Sequence, residues 1–262
     1  MKNPLSALRR TVLAAAFTVL LPVAPAMADP AAEIPVYVPG ELDANGNPLP
    51  GAVLIIDIVN HLAAESGLNL VAHAYPWRRA QMLAENGGGL LYGAAATAER
   101  RRTLNFSKPL YFVNQWLVAS ARNPVSFKHW EDLRGKVISI PGGSRYSAEF
   151  EAHRNKTFMV EENSTTIKGR LQMLSAGRVD AVLMDTHRSA SQLEARLNCR
   201  YASIGKWSIA EKAIETEPVL ISVSKSSPLN SIFPVLNDAI DRLEKSHGVQ
   251  KLLEKSVANS NC

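Results

Sequence analysis

Six histidines, two cysteines and 24 carboxylates are the raw material for catalysis or metal binding in this 262-residue chain. His61, His73, His129, His153, His187 and His247 contain no i, i+4 pair that would turn two imidazoles toward one metal. Cys199 and Cys262 are too few and too far apart for a thiolate cluster. Gly142-Gly143-Ser144-Arg145 lacks the Lys-Ser/Thr that completes a phosphate loop, and no G-x-S-x-G nucleophile elbow occurs. These residue types speak against metal, nucleotide and covalent chemistry, and imply no cofactor. Two positions have another character. Arg100 opens a run of three arginines just after the strand-like residues 90–94, and Asp185 closes the apolar run 179–184. Ligands of open α/β sheets gather at strand ends, where a guanidinium can grip a carboxylate and a carboxylate can accept from an ammonium. Each also has a plain structural role open to it. An arginine can simply be solvated, as Arg101 and Arg102 are read here, and Asp185 could cap a helix starting near Thr186.

The elements that must position these residues alternate between strand and helix patterns, which argues for α/β layers. Residues 34–38 read as a strand, and Ile55, Ile58, Val59 and Leu62 follow helical spacing up to a stop at Gly67. A strand through Leu68, Leu70 and Ala72, a helix over 77–85 and a strand near 90–94 complete the first set. The chain then runs extended through 116–119, a candidate crossing. A second set follows, with a strand at 136–140, a helix at 145–154, a strand at 157–160, a helix through Ile167, Leu171 and Leu174, and the buried strand 179–184. Residues 218–223 return the chain as a strand. The last helix starts with Ser227 as cap and Pro228 at its first position, and Pro234 would kink or split it.

The first residues bear on the compartment. Lys2, Arg9 and Arg10 precede an apolar run of about eleven residues, too short for the roughly 20 that a spanning helix needs. Ala26-Met27-Ala28 follows as an A-x-A site, so residues 1–28 read as a signal peptide cleaved after Ala28. That leader holds three of the 29 basic residues and no acidic one, leaving 26 against 24. The basic isoelectric point is therefore partly the leader's, and without a dense Lys/Arg block nucleic acid is excluded as a partner. In an oxidising compartment Cys199 and Cys262 would pair if the terminal residue holds the geometry, and the sequence leaves that open.

The segment from Gly93 to Tyr111, GAAATAERRRTLNFSKPLY, resembles the corresponding stretch of the family 3 extracellular solute-binding proteins of amino-acid import systems. The resemblance continues through Trp130-Glu131-Asp132-Leu133-Arg134-Gly135-Lys136-Val137, Gly143-Ser144 and the run from Leu174 to Asp185. It implies an α/β, two-lobed periplasmic-binding-protein fold, each lobe a mainly parallel sheet flanked by helices, with residues 29–113 plus 218–262 as lobe 1 and 114–217 as lobe 2. Hinges are expected near residues 113–115 and 216–218. It implies a ligand-binding set of Trp77, Gly93, Arg100, Ser144, Arg145 and Asp185. Arg100 would clamp a carboxylate, Asp185 and the Gly93 carbonyl would take an ammonium, and Trp77 would pack on the ligand or in the core. Ser144 and Arg145 would favour an anion from a loop-to-helix junction. Arg78, Arg145 and His187 hint at an anionic side chain. The implied partners are an amino-acid-like solute and the membrane permease of an ABC transporter, met by a periplasmic monomer. Two departures loosen the ligand class: Ala95 stands where Ser or Thr is common, and Pro39-Gly40-Glu41-Leu42 replaces a stacking aromatic. The alternatives are an enzyme on the same fold, similar to cyclohexadienyl dehydratase with Glu41 or His187 as acid, and a sensing module.

Overall fold

A computed structural model describes residues 32–164 and 166–258. The expected signal peptide and the Cys199–Cys262 pairing, which needs Cys262, fall outside those residues. Among them, no helix is long and apolar enough to cross a membrane.

Two sheets organise the chain. The first holds β1 (Ile34–Pro39), β2 (Leu70–Tyr75), β3 (Leu90–Tyr92), β4 (Leu104–Phe106) and, from far along the chain, a returning strand Ile221–Ser224. The second holds β5 (Tyr111–Ser120), β6 (Val137–Ser139), β7 (Met159–Glu161), β8 (Ala181–Thr186), β9 (Trp207–Ile209) and β10 (Thr216–Val219), which makes the returning strand β11. In each, three strands pair in parallel, β2-β1-β3 and β7-β6-β8, and antiparallel strands extend the edge where the chain crosses over. Tyr111–Asn114 and Thr216–Val219 pair with each other in the second sheet. Tyr111, Val113 and Val219 nevertheless pack on the apolar core of the first lobe, so these two strands belong to both.

The helices are α1 (Pro50–Ser66), α2 (Trp77–Glu85), α3 (Arg100–Thr103), α4 (Ala148–His153), α5 (Ile167–Ser175), α6 (Ala190–Arg200), α7 (Phe233–Lys245) and α8 (Gly248–Ala258). Ile58, Val59 and Leu62 of α1 are buried with Leu236, Ile240 and Leu243 of α7 against β1 and β11. Gly67 ends α1 at φ 71°, a left-handed turn that a residue without Cβ takes at little cost, and its N–H returns to the Ala63 carbonyl. Pro234 does not kink a helix. A 3-10 turn over Pro228–Ile232 comes first, and Pro234 sits in the opening turn of α7, where its missing N–H would have no intrahelical acceptor anyway.

Two helix starts differ from expectation in ways that touch the site. Residues 141–147 form a loop, and Ser147 caps α4 by accepting from the Phe150 N–H. Ser144 and Arg145 therefore lie before the cap, and the expected loop-to-helix junction at Ser144 is absent. Likewise α6 starts at Ala190 with a capping box between Ser189 and Gln192, so Asp185 does not cap it.

Candidate functional site

Arg100 is the first residue of α3 and only 9% exposed. Its backbone N–H donates to Thr97 Oγ1 at 3.2 Å, and Nη1 reaches the Ala95 carbonyl at 3.3 Å. That carbonyl only accepts, so it holds the guanidinium and does not replace the hydroxyl donor expected at position 95. Burial lowers the Arg100 pKa, and the Arg145 charge lowers it further. Its guanidinium carbon lies 5.8 Å from the centre of the Trp77 ring, within cation–π range. Trp77, at the start of α2, packs on the small cluster of Ala80, Ala84, Leu91 and Ala94, and its indole N–H is buried without an acceptor. Trp77 is thus part core and part wall. Arg101 and Arg102 are exposed.

Gly93 follows β3 at φ 83°, solvent-exposed, with open space where a Cβ would project. Gly40 explains the missing aromatic, because a Cβ there would stand 2.7 Å from that of Ala52. Glu41 instead reaches the second lobe, accepting from the Ile167 N–H at 2.5 Å.

From the second lobe, the loop around Gly143 comes against α2. A Cβ on Gly143 would stand 3.1 Å from Gln81 Oε1 and 3.6 Å from Arg78 Cγ. The Ser144 carbonyl accepts from Arg145 and Arg154, and exposed Arg145 sits near enough to Arg100 to depress its pKa. Tyr146 is buried, and the Asp185 charge adds to the burial that raises its pKa. Asp185, at the end of β8, is reached by solvent from the cleft although protein surrounds it. Burial lifts its carboxyl to a pKa of about 6, against the opposing effects of Arg170 and a hydrogen bond from Gln115.

His187 lies elsewhere. Its Nε2 meets Ser256 Oγ of α8 at 3.0 Å, and burial followed by the Arg188 charge lowers its pKa to about 4. It is neutral near pH 7 and supplies neither a general acid nor an anion site. Reading the sequence missed Tyr146, Gln115 and Arg170 around Asp185. Arg170 is buried with Nη1 on the Leu183 carbonyl, and only its place on the inner side of α5 marks it.

Arg100 and Asp185 thus stand on opposite lobes. The first lobe offers Arg100 and the Trp77 N–H, the second Asp185 and Gln115 Oε1, and neither Arg100 nor Asp185 has an ion-pair partner among the described residues.

A structure of the amino-acid-binding protein AbpA of Streptococcus pneumoniae, bound to L-arginine, superposes with a TM-score of 0.67 at 16% identity, covering 87% of this chain and 95% of that one. This is the two-lobed solute-binding fold. An ancestral amino-acid-binding protein described as a precursor of cyclohexadienyl dehydratase shares it, with a TM-score of 0.65 at 18% identity over 86% of this chain and 95% of that one. Among curated sequences, a probable amino-acid-binding protein of Bacillus subtilis, YxeM, is 27% identical over 161 residues, 62% of this chain. The match spans 58% of that relative's length. No family profile matches the chain.

Proposed function

We propose that this chain is the extracytoplasmic substrate-binding component of an ABC-type importer, and that it captures a small amino-acid-like zwitterion by closing its two lobes. One observation carries the reading: a buried arginine and a carboxylate on different lobes, neither in a salt bridge among the described residues, with Arg170 acting on Asp185 only from beyond ion-pair distance. A ligand bearing both charges would satisfy both. On this reading Arg100 and the Trp77 N–H hold the carboxylate, Asp185 and the Gly93 carbonyl hold the ammonium, and Ser144 and Arg145 close over the carboxylate end. The lobes would swing about residues 113–115 and 216–218, where β5 and β10 pair side by side. Exclusion of water strengthens the ion pairs, and micromolar affinity corresponds to about −8 kcal/mol. The names of AbpA and the Bacillus relative support amino acids as the ligand class. The partners that follow are the solute and a membrane permease that reads the closed form, met by a monomer exported through residues 1–28.

A screen of the exported chain against amino acids, opines, polyamines and small carboxylates should raise its melting temperature with a true ligand, by linkage. Arg100→Ala should weaken that ligand about a hundredfold by calorimetry. Unchanged binding would remove Arg100 from the site. The enzyme reading keeps one observation in its favour, since the raised pKa of Asp185 suits a general acid. It requires turnover of a cyclohexadienyl acid to an aromatic product, lost in Asp185→Asn.

A further inference from the structure

Asp185, Gln115 and Glu215 stand in one row across the second sheet. Gln115 is register-paired with Asp185 on one side, and on the other its N–H donates to the Glu215 carbonyl at 2.9 Å. Side chains alternate faces along a strand, so residues directly opposite share a face. Glu217 is paired with Val113, and both lie two residues from the row, which returns Glu217 to that same face. Three carboxylates therefore share one face with a single amide among them.

Arg170 acts on Asp185 through its charge, but its Nη1 is engaged by the Leu183 carbonyl. Among the described residues, none of the three has an ion-pair partner within 4.0 Å. Burial raises the pKa of Glu215 and of Glu217, and the like charge of Asp185 raises that of Glu217 further. Ser147 Oγ donates to Oε1 of Glu215, while its Oε2 is buried without a partner. Gln115 is 3% exposed, and its carbonyl oxygen Oε1 has no donor. No three carboxylates, histidines or cysteines among the described residues converge as a metal would require. The acceptors are spread along a row, as an extended, many-donor cation would use them.

We propose that this row is a subsite for a second cationic group, an ammonium or guanidinium at the end of the ligand's side chain, so that the captured solute is a basic amino acid or a close analogue. This rests on the reading of Arg100 as the carboxylate clamp. Gln115 Oε1 and Glu215 Oε2 accept from the cation's N–H groups, and Glu217 supplies charge from the hinge strand. Arg145, beside Arg100, belongs to the opposite, carboxylate end.

The test is calorimetry on the exported chain with charge-matched pairs, L-arginine against L-citrulline and L-lysine against L-norleucine. Each cation should bind about a hundredfold more tightly than its neutral counterpart. Glu217→Gln and Glu215→Gln should each reduce that ratio about tenfold, with neutral affinities little changed. Equal binding of both members of a pair by the unaltered protein, or a ratio untouched by both variants, overturns the subsite. If neutral amino acids bind through Arg100 and the cations gain nothing, the subsite fails while the amino-acid reading stands. Agmatine, which lacks the carboxylate, binding as tightly as arginine would refute the clamp and leave the row. Failure of every probe refutes both.

Discussion

The carboxyl of Asp185 is exposed to solvent yet surrounded by enough protein to disfavour its charge. Burial holds its folded pKa at about 6, above the ordinary value of 3.8. The folded state therefore binds this proton more tightly than the unfolded chain does. The contribution to stability is full below about pH 4 and is lost as pH rises through 6. Asp185→Asn should consequently melt higher than the unaltered protein at pH 7.5 in the absence of ligand, with the gap closing toward pH 4, while ligand affinity falls. Thermal unfolding across that pH range checks it, and a gap that grows on acidification refutes it. At this scale Asp185 was legible because it closes the apolar run that forms β8, and Arg100 because it lies inside a recognisable run, although the structure puts it at the start of α3. Glu215 and Glu217 were not, because along the chain they are two acids in a polar stretch, and only pairing with β5 shows which face they take.

At the scale of elements, the junction between β8 and α6 separates the proposed ligand residue from a structural one. The sequence left Asp185 as a cap or an acceptor. The capping box of Ser189 and Gln192 takes the first role and leaves Asp185 to the cleft. Ser189→Ala should cost about 1 kcal/mol in chemical denaturation and leave ligand affinity unchanged. A loss of affinity instead would tie that cap to the site. The same logic moved the start of α4. The sequence starts the helix at Arg145, but Ser147 makes the cap bond, and the intervening loop lies against α2.

At the scale of the whole molecule, side chains bond across the lobes at two places besides the Gly143 loop. Glu41 bonds the first turn of α5, and Arg188 Nη2 donates to the Ser256 carbonyl at 2.8 Å. Glu41 crosses between lobes in the segment that replaces the expected aromatic, and in the closure proposed above it would hold the lobes together. Glu41→Ala should speed ligand release several-fold in stopped-flow measurements, and small-angle scattering should show a larger fraction of open molecules at subsaturating ligand. Unchanged release would leave Glu41 as a surface contact only.

The sequence by itself determined the alternation of strands and helices, the stop at Gly67 and the carboxylate near the end of the apolar strand β8. Those features depend on local periodicity and on backbone preferences that a few neighbouring residues carry. Only the tertiary structure decided which serine caps which helix, that Glu41 reaches Ile167, that His187 faces α8, and that Asp185, Gln115 and Glu215 form one row. Each of these joins residues distant along the chain or turns on a register, and strand pairing fixes a face that no single segment encodes.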